Sequence, residues 1–518
     1  MNHIASFLFA ALCLVKLIVA QPGSLDQTFG NAGRLTTDFY GRNDMANALK
    51  ILPDGRILAA GYTSTTNFSD TDFAFAMYLP DGSLDPGFGT GGLNQTSIGG
   101  FDEIKALAVQ PDGKILAAGT RKTGANLDFA IARYMPNASL DNEFGTFFGV
   151  TTTNLGTNQD KLAAIALQPD GKILAAGGVG SGDDANFVLV RYTSSGLPDS
   201  TFGTNGIAIT DFDDKYETAY AMAIQSDRKI VVVGRGYHLL PPYDEAFAVA
   251  RYMPDGTLDA SFGTGGKQTI RFTGFVEWAN AVAVLPSGKI VVAGHAHYLG
   301  LLSFAIARMN PDGSMDPTFG TNGRAIFSLG SWSHNAGLVV LPDGKYIMGG
   351  FGAAGEFSLV RINTNGQLDS TFTDGVPNNG GMVLTSFGSD FSQINALAVQ
   401  ADGKVVAAGG AGNNFALARY ITDSNVGIDR NQFEVGSVKV YPNPVKEQAV
   451  LTFSLREPQR VEVSLFDSQG RRISIYEKQS YPAGKHEMNL HFPTELTDGL
   501  YIVQIITGSG QTFLKVWK

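Results

Sequence analysis

Short apolar runs separated by tight polar turns fill most of this chain, and they return in phase. In the first unit the apolar run 46–52 leads to Asp54-Gly55, and a second run, 56–62, follows, rich in Ile, Leu and Ala. Asp-Gly between two apolar runs is a strong short-range hairpin signal. Residues 73–79 then place Phe73, Phe75 and Met77 on one face by the two-residue period of a strand. With the weakly alternating stretch 33–39, the pattern predicts four antiparallel strands per unit.

The unit recurs. Its clearest phrase is Gln110-Pro111-Asp112-Gly113-Lys114-Ile115-Leu116-Ala117-Ala118-Gly119, and its turn returns at Asp54, Asp112, Asp170, Asp227, Ser287, Asp343 and Asp402, 56 to 60 residues apart. A second phrase, Leu84-Asp85-Pro86-Gly87-Phe88-Gly89, travels with it and puts Asp at positions 26, 85, 141, 199, 259, 316 and 369. A fixed period of this size means an array or a closed ring of small units. Four strands repeated seven times predict an all-β, seven-bladed β-propeller over residues 21–421. The alternative is an open β-solenoid, which usually has shorter repeats. The two ends favour closure. Residues 24–30 are the tail phrase of a unit that has no beginning, and the last unit stops at Tyr420 without a tail phrase. An N-terminal strand over 33–39 can therefore complete the last blade and leave no open edge.

Both phrases read first as architecture. Asp-Gly supplies turn geometry, and the repeated Phe is expected as a plug between blades. An arginine also recurs in phase: Arg133, Arg191, Arg251, Arg308, Arg361 and Arg419, with Met77 in that slot of the first unit. Paired with the tail-phrase carboxylates, Asp85, Asp141, Asp259 and Asp316 among them, these predict one structural ion pair per blade. The competing reading takes the arginines as anion binders.

Composition fits many strands and turns. Glycine is 63 of 518 residues, about twice the usual share, and charged residues, at 17%, fall below the usual ~25%. The net charge of −10 and the lack of a basic stripe exclude a nucleic-acid partner. Residues 1–20 are apolar and end Leu17-Ile18-Val19-Ala20, which reads as a secretory signal peptide. A membrane anchor is the alternative, and Lys16 interrupts the apolar length it needs. No integral membrane span is expected in the mature chain. The one cysteine, Cys13, lies in this segment, so a mature chain would have no disulfide and no thiolate metal site.

Residues 422–437 are polar, lack the repeat and read as a linker. Residues 438–518 then show seven short strands with turns such as Asp467-Ser468-Gln469-Gly470, which predicts a small, Ig-like β-sandwich.

The two repeated phrases resemble the delta-60 repeat family over about residues 24–421; the resemblance implies architecture and no activity. The tail resembles the C-terminal sorting domain of the type IX secretion system of Bacteroidota. The matching residues are Val440-Tyr441-Pro442-Asn443-Pro444, Leu465-Phe466-Asp467 with Gly470, Gly499-Leu500-Tyr501, and Leu514-Lys515-Val516. It implies the secretion machinery as a partner, export through periplasm and outer membrane, and release or surface attachment.

Strand alternation puts the Asp-Gly turns and tail phrases on one rim, nearly constant between units. The other rim is irregular, and a binding site is expected there. The rare residues Tyr237, His238, Tyr243, Trp278, His295, His297, Tyr298, Trp332 and His334 fall on that side, in what read as its loops. Exposed aromatics are common anchors for glycans and proteins. His295-x-His297 offers two metal donors and Asp211, Asp213 and Asp214 offer oxygen ligands, but solvated loops explain both as well, and no metal or cofactor is expected. No nucleophile, zinc-hydrolase or phosphate-loop motif occurs. The expectation is an exported, non-catalytic binding or adhesion protein contacting a glycan or protein. A polysaccharide lyase or hydrolase at the channel mouth and a ligand-free structural protein are the rivals.

Overall fold

The computed structural model describes residues 21–64, 70–156, 159–180, 185–212, 215–238, 244–273, 275–328, 334–352, 355–374, 380–388, 391–422, 439–455, 458–467, 472–492, 496, 499–507 and 510–518. Those residues contain strands and turns and no helix. They divide into two units, 21–424 and 425–518, apart from the first twenty residues.

The larger unit holds, among the described residues, seven four-stranded antiparallel sheets arranged as propeller-like blades. Sheet 1 comprises Asn43–Ile51, Ile57–Ser64, Thr71–Tyr78 and Leu93–Thr96, paired in chain order. The inner strands of sheets 2 to 6 are Asp102–Val109, Lys161–Leu167, Lys215–Ile224, Glu277–Val284 and His334–Val340. Sheet 7 starts at Ser392–Val399 and takes its fourth strand from the N-terminal side: Arg34–Thr37 pairs with Asn414–Tyr420, Arg34 opposite Ala418 and Thr37 opposite Phe415. Each inner strand packs against the next, and that of sheet 7 packs against that of sheet 1.

The repeated phrases explain how sheets join. Asp-Gly closes the hairpin between the first two strands: the Leu52 N–H donates to the Arg56 carbonyl at 2.8 Å, with Gly55 at φ +88°. In sheet 4 Arg228 takes that left-handed position, at φ +68°. The tail-phrase phenylalanines, Phe29, Phe88, Phe144, Phe202, Phe262, Phe319 and Phe372, are all buried. The recurring arginine joins two sheets. Arg191 donates from Nε to Asp199 Oδ2 at 2.7 Å, stacks on Phe202 at 4.6 Å, and donates from Nη1 to the Pro254 carbonyl of the next sheet at 2.7 Å. Arg133 makes the same three contacts with Asp141, Phe144 and Ser194, at 2.8, 4.6 and 2.8 Å. A lysine joins six of the seven tail-phrase aspartates, as Lys172 does Asp199 at 2.8 Å. In sheet 1, where Met77 replaces the arginine, Arg56 takes the lysine's place and reaches Asp85 at 2.9 Å.

A second periodic carboxylate escaped the sequence reading. Asp44, Asp102, Asp160, Glu217 and Glu277 sit at the outset of inner strands, are buried, and accept backbone N–H groups of Phe39, Ile98, Leu155, Phe212 and Phe272. They tie the connecting segment of the variable rim to the sheet it enters.

In the smaller unit, Lys439–Tyr441, Gln448–Leu455 and Gly484–His491 form one sheet. The other runs Arg472–Tyr481, Gln459–Asp467, Leu500–Thr507, Gly510–Trp517 in spatial order. Leu451, Phe453, Val463, Leu465, Leu490, Val503 and Ile505 make one buried core. The segment 423–438, which includes nearly all of the expected linker, and the segment 1–20 lie outside the described residues.

Candidate functional site

Each inner strand of the larger unit carries a β-bulge at the same place. Its pairing slips at Ala46/Ala48, Ile104/Ala106, Leu162/Ala164, Ala219/Ala221, Ala279/Ala281, Asn335/Gly337 and Ile394/Ala396. The extra residues are Asn47, Lys105, Ala163, Tyr220, Asn280, Ala336 and Asn395. All seven line one cavity of about 570 Å³ where the inner strands meet. A bulge re-aims a side chain, and here it does so seven times toward one axis. The opposing residue has to be glycine. A Cβ on Gly119 would stand 1.8 Å from the Glu103 carbonyl oxygen, and one on Gly294 1.8 Å from that of Trp278. The glycine that ends Ala-Ala-Gly is thus the imprint of the bulge.

The wall is chemically uneven. Asn47 Nδ2 donates to Glu103 Oε1 at 3.1 Å and to the Ile104 carbonyl at 2.9 Å, and Asn395 Nδ2 donates to the Ala46 carbonyl at 2.9 Å. Lys105 is ion-paired with Glu103. Across the cavity stand Tyr220 and Trp278, ring centres 6.0 Å apart. The half-buried Trp278 donates its indole N–H to Glu245 and carries the Arg235 guanidinium over its ring at 4.7 Å. Burial pushes the Glu245 carboxyl up, against the Trp278 hydrogen bond and Arg235. Lys161, exposed, adds a cation.

The aromatic and histidine residues read as loop residues are mostly in strands. Tyr237 and His238 end the strand Ile230–His238, Trp278 begins an inner strand, His295, His297 and Tyr298 belong to Ile290–Tyr298, and His334 opens His334–Val340. The strands simply run further toward the variable rim than alternation alone suggested. His295 is 1% exposed, 5.2 Å from the Trp278 ring and 3.3 Å from Asn280 Nδ2, so it backs the wall rather than facing a ligand. His297 packs on Phe275 at 5.6 Å, and Tyr298 is exposed. Of those whose side chains are described, Trp278 lines the cavity and His295, His297 and Tyr298 do not. Tyr243, Trp332, Asp213 and Asp214 lie outside the described residues. Among the described residues no group of three His, Cys, Asp or Glu side chains is placed to hold a metal ion. The sequence reading missed Asn47, Glu103, Lys105, Lys161, Tyr220, Asn280 and Asn395. Their signal was two columns of mixed residues, two positions apart, on an otherwise apolar repeated strand.

In the tail, the quoted motifs converge. Asn443 Oδ1 accepts the Trp517 N–H at 2.8 Å, Gly499 and Lys518 exchange two backbone hydrogen bonds at 3.0 Å, and Tyr501 pairs between Asp467 and Val516. Tyr441-Pro442 and Asn443-Pro444 are cis peptide bonds. Lys515 lies opposite Ile502.

Residues 52–88, 110–144, 168–202, 225–262, 285–319 and 341–372 match the family described as a domain of unknown function (DUF5122) β-propeller. Residues 439–518 match the secretion system C-terminal sorting domain. No curated protein matches the chain significantly. A catalytically inactive virginiamycin B lyase from Staphylococcus aureus with quinupristin is similar at 10% identity and TM-score 0.40, over 75% of this chain and 99% of that one. The polysaccharide lyase Uly1 is similar at 12% identity and TM-score 0.41, over 77% and 92%. Drosophila semaphorin 1b, extracellular domains 1-2, gives 9% and 0.29, over 73% of each chain. Likeness at this level carries no argument about activity. The sorting domain directs type IX secretion, to the cell surface or beyond, and makes the secretion machinery a partner. No helix among the described residues is long and apolar enough to cross a membrane. The chain is a protein of DUF5122 β-propeller repeats that ends in a type IX secretion C-terminal sorting domain.

Proposed function

We propose that this chain is a seven-bladed β-propeller, closed by its N-terminal strand and followed by an Ig-like sandwich, that binds a glycan at the variable mouth of its channel without catalysis. Residues 1–20 serve as signal peptide, and 422–437 as linker. The observation that carries the reading is the bulge column. The scaffold repeats seven times, yet the residue aimed at the axis is not constant: asparagine in three blades, alanine in two, and lysine and tyrosine in one each, with Tyr220 and Trp278 side by side. Aromatic faces beside amide groups suit a sugar ring, with stacking on one side and hydrogen bonds on the other. The arginine–aspartate pairs are structural, because both partners are buried and each arginine ties two sheets together. A glycan array with the full chain and its Trp278→Ala variant tests this. Loss of binding in the variant is expected; equal binding by both removes the mouth as the site, and no binding by either favours a structural surface protein.

A catalytic reading rests on Glu103, Lys105, Lys161 and Tyr220 sharing one cavity, since these types can move protons. Polysaccharide cleaved by the wild type and spared by Tyr220→Phe favours a lyase or hydrolase instead.

A further inference from the structure

We infer that the mouth selects an acidic oligosaccharide, one bearing a carboxylate or sulfate, and that Lys161 and Arg235 hold the anionic group. The inference rests on the glycan reading of the mouth. Lys161 lines the central cavity and also a side cavity of about 150 Å³ between sheets 3 and 4. Thr218 lines both as well, so the two spaces adjoin. Arg235 lies on the side cavity, and among the described residues its walls contain no carboxylate. That volume is about five waters' share of the liquid, room for one ring substituent.

The charges there are only partly spent: Arg235 pairs with Glu245, and Lys161 has no carboxylate partner among the described residues. The Lys161 side chain makes no hydrogen bond or ion pair among the described residues, unlike that of Lys105, which is held by Glu103. Arg235 Nη1 stands 3.6 Å from Glu245 Oε1, while its Nε is buried without a hydrogen-bond partner. Its guanidinium lies over the Trp278 ring at 4.7 Å. A ring stacked on Trp278 can therefore present a substituent to two cations. Charge-assisted hydrogen bonds are about twice as strong as neutral ones. The protein as a whole carries −10, so this cationic corner would distinguish one part of the surface for an anionic ligand.

Calorimetric titration of the full chain with tetragalacturonate, a sulfated galactan tetrasaccharide and cellotetraose tests the inference. One or both acidic probes should bind more tightly than cellotetraose and weaken as salt rises; which of them binds identifies the anion. Lys161→Ala should weaken the acidic probe about fivefold, the upper range for an exposed ionic contact, and leave cellotetraose unchanged. If cellotetraose binds as well as the acidic probes, with Lys161→Ala silent and Trp278→Ala damaging, the clamp is wrong and the mouth still binds glycan. If none of the three binds, both readings fall. Lys161 is exposed, so its removal leaves the fold intact, which a thermal melt checks.

Discussion

Arg419 and Asp26 are 393 residues apart in the chain, yet Arg419 Nε donates to Asp26 Oδ2 at 2.8 Å. The same guanidinium stacks on Phe29 at 4.6 Å and donates from Nη1 to the Pro80 carbonyl at 2.5 Å. One side chain thus binds the last sheet, the N-terminal tail phrase and the turn of sheet 1. Both partners are buried, at 7% and 5% side-chain exposure. Removing one leaves a buried charge unpaired, so Arg419→Ala is expected to cost about 3–5 kcal/mol. Arg191→Ala should cost a similar amount. Hydrogen exchange separates them: protection of Arg34–Thr37 should collapse in Arg419→Ala and survive in Arg191→Ala. Retained protection in both would show that the clasp does not close the ring.

Sheet 1 tests the logic of the clasp by its exception. Among the described residues Arg56 is the one cation paired with Asp85, from the position that is lysine elsewhere. Arg56→Ala should destabilise by about 1–2 kcal/mol, less than the buried clasps because Arg56 is partly exposed. Adding Met77→Arg to Arg56→Lys restores the arrangement of the other sheets and should stay near wild-type stability in denaturant melts. A double variant as weak as Arg56→Ala would mean that the two slots are not interchangeable.

Gly119→Ala puts a methyl into the Glu103 carbonyl, and the strand cannot yield without losing the bulge. A loss of about 3 kcal/mol is expected, at the upper end for overpacking. Gly124→Ala is a different case: open space surrounds its Cβ and only its φ of +64° opposes the change, so it should cost about 1 kcal/mol. Equal costs at both sites would remove close approach as the reason for the repeated glycine.

Stability should respond to pH in two windows. Burial pushes the Asp102 carboxyl up to about 6, against the backbone N–H groups of Ile98 and Gly99 and the charge of Arg121. A raised folded value means that the stabilising contribution is full below about 4 and lost as pH rises through 6. Asp102→Asn should therefore gain stability relative to wild type at pH 8 and little at pH 5, by an amount on the order of 2 kcal/mol. In the other window, burial alone would raise Asp26, but Lys404, Thr28 and Arg419 outweigh it and hold the carboxyl at about 2. Asp369 is held at about 2 in the same way by Lys345, Thr371 and Arg361. Their contribution is present above about 4 and disappears as pH falls toward 2. Urea melts from pH 2 to 8 for wild type and Asp102→Asn check both signs; parallel curves for the two proteins above pH 5 would contradict the first.

Much of the fold was legible because it is periodic. Turn chemistry at Asp54-Gly55, the apolar period of Phe73, Phe75 and Met77, and the split tail phrase at 24–30 are local signals, repeated until chance is excluded. Arg and Asp recurring in phase named the pair now seen between Arg133 and Asp141. The site was less legible. Rarity drew attention to His295, which proved to be buried support, while Asn280, two residues past Trp278 on the same strand, passed unnoticed. A single unlike residue in an apolar strand looks like noise until the bulge is known.

What the sequence determined by itself was therefore the unit, its count of phrases, its turns and its export tail, since each depends on contacts between near neighbours. The tertiary structure decided which residues face one another. Seven bulges turn seven side chains far apart in the chain toward a common axis, and no local pattern records that, because the chain returns to the axis only once every 56 to 60 residues.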